Sequence, residues 1–446
     1  MENIQKIKCS FCGAEMKEDE DLIKGKDSVY ICKECTKIAC QAFDLMPVQE
    51  TYQTEPLGKT SLKKSEDLKE NQKEKDQIKI LKPSEIYQKL NDYVIGQDAA
   101  KKTLAVAVYN HYKRFQINAE EASNIQKSNI MMVGPTGSGK TYLVKSLARI
   151  LDVPLAIVDA TTMTATGYVG KEVDSMLTTL VNAANGDIKK AEHGIIYIDE
   201  IDKIRVKDTN GLDIGGESVQ QAMLKLVEGT VTEVTGRINS SNGKVDWFAF
   251  GESSDEPQID TSNILFICGG AFSGIENIIN TRTNQRSSIG FGATINTHQE
   301  ITLSDSLKKL EVEDLKKFGM IPEFIGRFPV LIHLDELDHK ALKRILMEPK
   351  DALIKQYQRL LKYDGVDIVF SEEAIKHIAD QAIKNKTGAR GLRSIMEQTM
   401  EDLMFSIPDE KNLQKIFIDE NESGNLVPKK MYKKISKNYR KPKVQK

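Results

Sequence analysis

The chain has no run of apolar residues approaching the ~20 that a membrane-spanning helix requires, which excludes a helical anchor. Its first residues, Met1 to Lys8, contain no hydrophobic stretch of the kind that opens a secretory signal, so the cytoplasm is the expected compartment. Neither sign of charge is in excess. The 63 Lys and Arg against 65 Asp and Glu leave a formal charge of −2. That argues against attraction of the whole surface to nucleic acid or acidic membranes, though not against a local patch. Cysteine is scarce, with six in 446 residues, and gives no disulfide framework. Tryptophan occurs once, at Trp247. With 40 % hydrophobic and 29 % charged residues, the composition is that of a soluble globular chain with room for about two or three domains.

The most informative stretch is Gly134-Pro135-Thr136-Gly137-Ser138-Gly139-Lys140-Thr141. An apolar run from Asn129 to Val133 precedes it, and a helical pattern from Tyr142 to Leu151 follows. Strand, glycine loop and helix in that order make a phosphate cradle. Gly137 and Gly139 let the backbone turn its N–H groups inward, and the helix N-terminus adds partial positive charge. Lys140 can reach the β- and γ-phosphates, and the Thr141 hydroxyl can ligate Mg²⁺. Ile195-Ile196-Tyr197-Ile198-Asp199-Glu200 supplies the other half of a hydrolase. An apolar run ending in two acids reads as a buried parallel strand with its ligand at the carboxyl end. Asp199 would hold Mg²⁺ through water, and Glu200 would orient and deprotonate the attacking water. The two motifs together predict an ATPase rather than a passive nucleotide binder.

Four cysteines form two pairs, Cys9-x₂-Cys12 and Cys32-x₂-Cys35, separated by nineteen residues. This spacing predicts a structural zinc site with a closed tetrahedron of thiolates, and the metal would stabilise a module too small to fold on its core alone. Acids crowd the middle of the module at Glu15, Glu18, Asp19, Glu20 and Asp21, which favours protein contacts or self-association over nucleic acid. Residues 51 to 80 are rich in Lys, Glu, Asp and Gln and read as a flexible charged linker or an exposed helix.

Order resumes at Pro83. Ile86, Leu90, Tyr93, Val94 and Ile95 could sandwich an adenine ring or simply pack a core. Helices are predicted over residues 99 to 112 and 218 to 228, and strands over 155 to 158, 264 to 268 and 330 to 334. Thr166-Gly167-Tyr168-Val169-Gly170 is a glycine-flanked tip with an apolar payload, either mobile or packed into a turn. Residues 236 to 260 form a polar loop or hairpin insertion. Ile289-Gly290-Phe291 lies in a polar, glycine-rich loop and suits a docking element, with packing back on the domain as the alternative. Beyond Asp338 the pattern is mostly helical over 339 to 361, 372 to 385 and 390 to 405, interrupted by extended runs at 366 to 370 and 416 to 418. Residues 429 to 446 carry nine Lys or Arg and no acid, and read as a solvated, disordered tail, with contact to nucleic acid or membrane as the alternative.

Several motifs, taken in order, are shared with a known family: the four-cysteine module, GPTGSGKT, GYVG, IIYIDEIDKI, GGESVQQAMLKLVEGT, ILFICGGAF, IGFGA, IPEFIGR and KTGARGLR. From Cys9 to about Ile418 the chain resembles the ClpX family of AAA+ protein unfoldases. The related HslU unfoldases would lack the zinc module. The resemblance implies an α/β P-loop AAA+ core with an α-rich small C-terminal domain, preceded by a zinc module. The expected division is a zinc module over 1–48, a linker over 49–82, a large ATPase domain over 83–336, a small domain over 337–428 and a tail over 429–446.

The resemblance further implies a homohexameric ring that uses ATP, Mg²⁺ and Zn²⁺, feeds protein substrates to the ClpP peptidase and takes adaptors on its zinc module. Nucleic acid and membrane partners are not expected. Arg327 matches an arginine finger that reaches a neighbour's nucleotide, and Arg390 matches the sensor-2 arginine of the subunit's own site. Val94 and Ile95 match the adenine pocket, Tyr168 and Val169 the pore loop that grips polypeptide, and Ile289, Gly290 and Phe291 the loop that docks on the peptidase. Three features depart from the pattern. The 236–260 insertion lacks a basic Arg-Lys-His tripeptide, the basic tail after Lys429 lies outside the pattern, and Gly269-Gly270 stands where many AAA+ proteins carry a polar sensor-1 residue.

Overall fold

The structure is a computed structural model that describes residues 7–12, 15–16, 22–24, 30–32, 35–36, 80–117, 125, 127–164, 169–206, 216–234, 237–238, 245–246, 257–287 and 303–433. The chain divides into two units, Met1–Gln77 and Ile78–Lys446. In the first, Ile7–Lys8 pairs antiparallel with Glu15–Met16, and Leu22–Lys24 pairs antiparallel with Tyr30–Cys32. Each cysteine pair is thereby attached to a strand pair.

The second unit opens with α1 (Pro83–Asn91), whose first position is proline, and α2 (Asp98–Lys113). Then come β1 (Ile130–Val133), α3 (Lys140–Leu151), β2 (Leu155–Asp159), α4 (Val169–Ala183), β3 (Ile195–Asp199), α5 (Gly216–Glu228), β4 (Leu265–Gly270), α6 (Ile275–Ser287), α7 (Val312–Phe318), α8 (Pro322–Gly326) and β5 (Val330–His333). The five strands form one parallel sheet in the order β5-β1-β4-β3-β2. Alternate residues point to opposite faces. Met131, Val133, Ile196, Ile198, Phe266 and Cys268 fill one core. Ile130, Met132, Ile195, Tyr197, Leu265 and Ile267 fill the other, against α1, α2 and α3. A sheet buried on both faces explains why these strands are continuous apolar runs. Between α5 and β4, Val231–Glu233 pairs with Gln258–Asp260 and Arg237–Ile238 with Val245–Asp246. The insertion is therefore built on nested antiparallel pairs.

The remaining elements are α9 (His339–Met347), α10 (Leu353–Tyr363), β6 (Asp367–Phe370), α11 (Glu372–Lys384), α12 (Gly388–Ser406), β7 (Leu413–Glu420) and β8 (Leu426–Tyr432). They share a separate apolar core with Leu342, Ile378, Leu392 and Ile416 at its centre. Two sequence expectations need correction here. The helix expected over 339 to 361 is two helices, broken around Pro349, which cannot donate to a helical ladder. The break lets the Lys350 N–H donate to the Asp92 carbonyl (2.9 Å) near the end of α1. Residues 429 to 432 are not tail but the second half of β8, antiparallel to β7. Lys429 pairs with Asp419 across the strands, and Lys430 with Glu410, so the lysines there are fixed by acids distant in sequence.

Candidate functional site

The glycine loop leaves the carboxyl end of β1, the central sheet's middle region, and runs into α3. Gly137 (φ 78°) and Gly139 (φ 98°) both occupy the left-handed region, which is what the glycine pattern is for. The Ser138 hydroxyl is buried and has no hydrogen-bond partner among the described residues, an orphan donor inside the loop. Lys140 is also buried, and its ammonium donates to the carbonyls of Gly134 (2.6 Å) and Pro135 (3.0 Å). Burial pushes its pKa down, while Asp199 and Asp202 act in the opposite direction. A left-handed glycine turn at a helix N-terminus, an unsatisfied hydroxyl and a lysine held on neutral carbonyls fit a polyphosphate.

The acid end of β3 faces this loop. Asp199 Oδ2 accepts from the Thr141 hydroxyl (2.9 Å), and Oδ1 accepts from the Tyr197 hydroxyl (3.2 Å) and the Glu200 N–H (3.0 Å). Glu200 is held at φ 55°, a strained choice for a residue with a side chain, and is exposed. Asp202 is buried, and its carboxylate accepts from the Ala271 N–H (3.1 Å) just beyond β4. The Thr141–Asp199 pair is a hydroxyl and a carboxylate in contact, the donor set a hydrated Mg²⁺ requires.

A cavity of about 660 Å³ joins these parts. Val94 and Ile95 line it together with the loop residues 136 to 141, Asp199, Glu200 and Arg390. Leu337, Ile345 and Leu353 add apolar wall from the C-terminal elements. The two lobes meet at the loop itself: the Ala389 N–H donates to the Gly137 carbonyl (3.1 Å), and a Cβ on Gly137 would stand 2.5 Å from the Thr387 carbonyl oxygen. Gln97 completes the joint. Its side chain donates to the carbonyls of Ser138 (3.3 Å) and Asp335 (2.8 Å) and accepts from the Asp335 N–H (2.9 Å).

Arg327 does not line the cavity. Its guanidinium sits 2.5 Å from Glu228 of the same chain, and its carbonyl accepts from buried Asn129 (3.0 Å). Tyr168, Ile289, Gly290 and Phe291 lie outside the described residues. Val169 opens α4, but its side chain also lies outside them. Sequence reasoning missed Gln97, Tyr197, Asp202 and Glu228. The only hint was that Gln97 follows Gly96 at the end of an apolar stretch.

In the N-terminal unit the sulfurs of Cys9, Cys12, Cys32 and Cys35 all lie within 4.8 Å of one another, with Cys12 and Cys32 at 3.7 Å. A tetrahedral zinc with Zn–S near 2.3 Å sets the sulfurs about 3.8 Å apart, so the quartet fits zinc. The Cys12 N–H and further backbone donors lower the Cys9 thiol to about 6, which favours the thiolate that binds metal. Cys35 is pushed up to about 12, first by its contact with the Cys12 thiol.

Comparison with known proteins agrees with this geometry. The AAA domain (Cdc48 subfamily) matches residues 125–331, the C-terminal, D2-small domain, of ClpB protein matches 337–416, and the ClpX C4-type zinc finger matches 7–44. The ATP-dependent Clp protease ATP-binding subunit ClpX of Borrelia duttonii (strain Ly) is 44 % identical over 427 residues, which cover 94 % of this chain and 92 % of the relative. That of Azotobacter vinelandii is 43 % identical over 438 residues, covering 95 % and 92 %. The chain belongs to the ClpX family. It is accordingly an ATPase that uses ATP and Mg²⁺ and carries the ClpX zinc finger on the quartet described above. The ClpX fold is an α/β P-loop core followed by a smaller α-rich lobe, as the sequence predicts. Among the described residues no helix is long and apolar enough to cross a membrane.

Proposed function

We propose that this ClpX-family ATPase is a cytoplasmic protein unfoldase that works as a homohexamer and delivers unfolded polypeptide to a ClpP peptidase. The relatives' own names associate them with the Clp protease. The observation that carries the reading is the division of labour around the cavity. Lys140, Thr141, Asp199, Glu200 and Arg390 line one cavity, while Arg327 stands outside it, half exposed and paired with Glu228 in a surface contact that a neighbour's phosphate could replace.

In this reading Val94 and Ile95 hold adenine, and backbone N–H groups between Thr136 and Thr141 hold the phosphates. Lys140 exchanges its two carbonyl acceptors for β- and γ-phosphate oxygens. Thr141 and Asp199 hold Mg²⁺, which neutralises phosphate charge when bound. Glu200 takes a proton from the attacking water, and Arg390 in cis and Arg327 in trans stabilise charge on the transferred phosphoryl group. Because Arg390 and Ala389 are adjacent at the start of α12, loss of the γ-phosphate would be felt by the whole C-terminal lobe. Tilting of that lobe would move the Tyr168–Val169 tip along the ring axis, and Ile289, Gly290 and Phe291 would hold the peptidase. A native domain is stable by only about 5–15 kcal/mol, within reach of repeated hydrolysis-driven strokes.

The experiment is to incubate the purified protein with a fluorescent reporter bearing an unstructured tag, with or without ClpP and with or without ATP. The expected result is loss of fluorescence and of full-length reporter when ATP and ClpP are both present. A reporter that survives under those conditions, with ATPase intact, contradicts the reading.

A further inference from the structure

The polar end of β3 contains a group that the ATPase motifs do not assign. Tyr197 and Asp199 are two apart on one strand, so their side chains share a face. The tyrosine ring is fully buried, in the core that also contains Ile130, Leu143 and Ile267, yet its hydroxyl emerges at Asp199 Oδ1 (3.2 Å). The neighbouring strand makes room for it. In the β3–β4 register Ile267 stands opposite Tyr197 and Cys268 opposite Ile198. A Cβ at Gly269, the next residue, would lie 2.0 Å from the Tyr197 oxygen and 2.7 Å from the ring carbon that bears it. The hydroxyl therefore fills the space that a side chain at 269 would take.

The accounting at Asp199 is complete. Oδ1 is shared by the Tyr197 hydroxyl and the Glu200 N–H, which leaves Oδ2 on the Thr141 hydroxyl. We infer that Tyr197 is a positioning residue that fixes the Asp199 carboxylate with Oδ2 turned to Thr141 and the divalent cation. The inference rests on the reading of Asp199 as the carboxylate on the metal side.

The test is the Mg²⁺ dependence of ATPase activity in the full-length protein, measured for the parent, Tyr197→Phe, Gly269→Ala and Asp199→Asn. A partner of a metal-holding group typically costs about 10–100-fold in metal affinity or activity. Tyr197→Phe should raise the Mg²⁺ concentration for half-maximal rate by roughly 10-fold, with much of the rate recovered at high Mg²⁺. Binding of a fluorescent ATP analogue in excess chelator should stay at the parental value. Gly269→Ala keeps the phenol but crowds its oxygen, and should shift the Mg²⁺ curve the same way. A parental Mg²⁺ curve in Tyr197→Phe, with Asp199→Asn shifted, overturns the inference and leaves the reading of Asp199 standing. A parental curve in Asp199→Asn overturns both.

Discussion

The Arg327 guanidinium is paired at 2.5 Å with the Glu228 carboxylate of its own chain, away from the cavity that holds Lys140 and Glu200. The arginine leaves the end of α8 with its carbonyl tied to Asn129, and Asn129 Oδ1 in turn accepts from the Phe266 N–H (3.3 Å) in β4. The guanidinium is about half exposed, so the pair with Glu228 is a weak surface contact that a phosphate dianion could displace. Arg327→Ala should lower the ATPase rate by about 10³-fold while each subunit still binds ATP. Mixing Arg327→Ala with Lys140→Ala subunits should restore part of the rate, because each supplies what the other lacks across an interface. No recovery on mixing, with both variants assembled, would place the finger in cis.

Glu200 and Lys140 should separate turnover from binding. Glu200→Gln keeps the shape and loses the base, so ATP should bind near parental affinity while hydrolysis falls by about 10²–10⁴-fold. Lys140→Ala removes the ammonium that sits on the Gly134 and Pro135 carbonyls and should weaken nucleotide binding itself. Equilibrium binding of a fluorescent ATP analogue beside a phosphate-release assay distinguishes the two.

Buried His111 should make the ATPase unit acid-labile. Its Nε2 lies 3.0 Å from the Asn263 carbonyl, Nδ1 has no partner among the described residues, and burial lowers its pKa to about 3. The unfolded chain takes up this proton near its ordinary value of about 6.5 and the folded chain does not. The unfolded state therefore binds more protons between those values, and stability is full above pH 6.5 and falls as the pH drops toward 3. The loss is about 1.4 kcal/mol per pH unit, roughly 2 kcal/mol by pH 5. Denaturant melts at pH 7 and pH 5 should show it, and His111→Gln should flatten the difference.

The pore and docking assignments call for variants that spare the ATPase site. Tyr168→Ala should hydrolyse ATP at close to the parental rate and fail to unfold a tagged reporter. Phe291→Ala should unfold it and fail only in degradation with ClpP. Unfolding at the parental rate by Tyr168→Ala would remove that residue from the pore.

How much of this was legible in the sequence depended on the range of the interaction. Gly137 and Gly139 announce themselves because the turn demands positive φ, and β1 and β3 because strands buried on both faces are continuous apolar runs. Asp199 and Glu200 follow from their place at a strand's carboxyl end. The lysines of β8 read as a tail because Asp419 and Glu410, which hold Lys429 and Lys430, are ten and twenty residues away, beyond any local pattern. Glu228 and Arg327 are likewise joined only by the fold. Tyr197 reads as one more apolar strand residue, and only the register against Gly269 shows that its hydroxyl has somewhere to go. Pro349 was a visible signal, and its break in the helix sets Lys350 on Asp92.

The most direct measurement of the central claim is the ATPase rate of the purified protein alone, with an unfolded polypeptide, and with single- or double-stranded DNA. A polypeptide-driven motor predicts stimulation by the polypeptide and none by DNA. Stimulation by DNA alone would contradict the account and make the zinc finger and the basic residues after 429 the parts that choose the substrate.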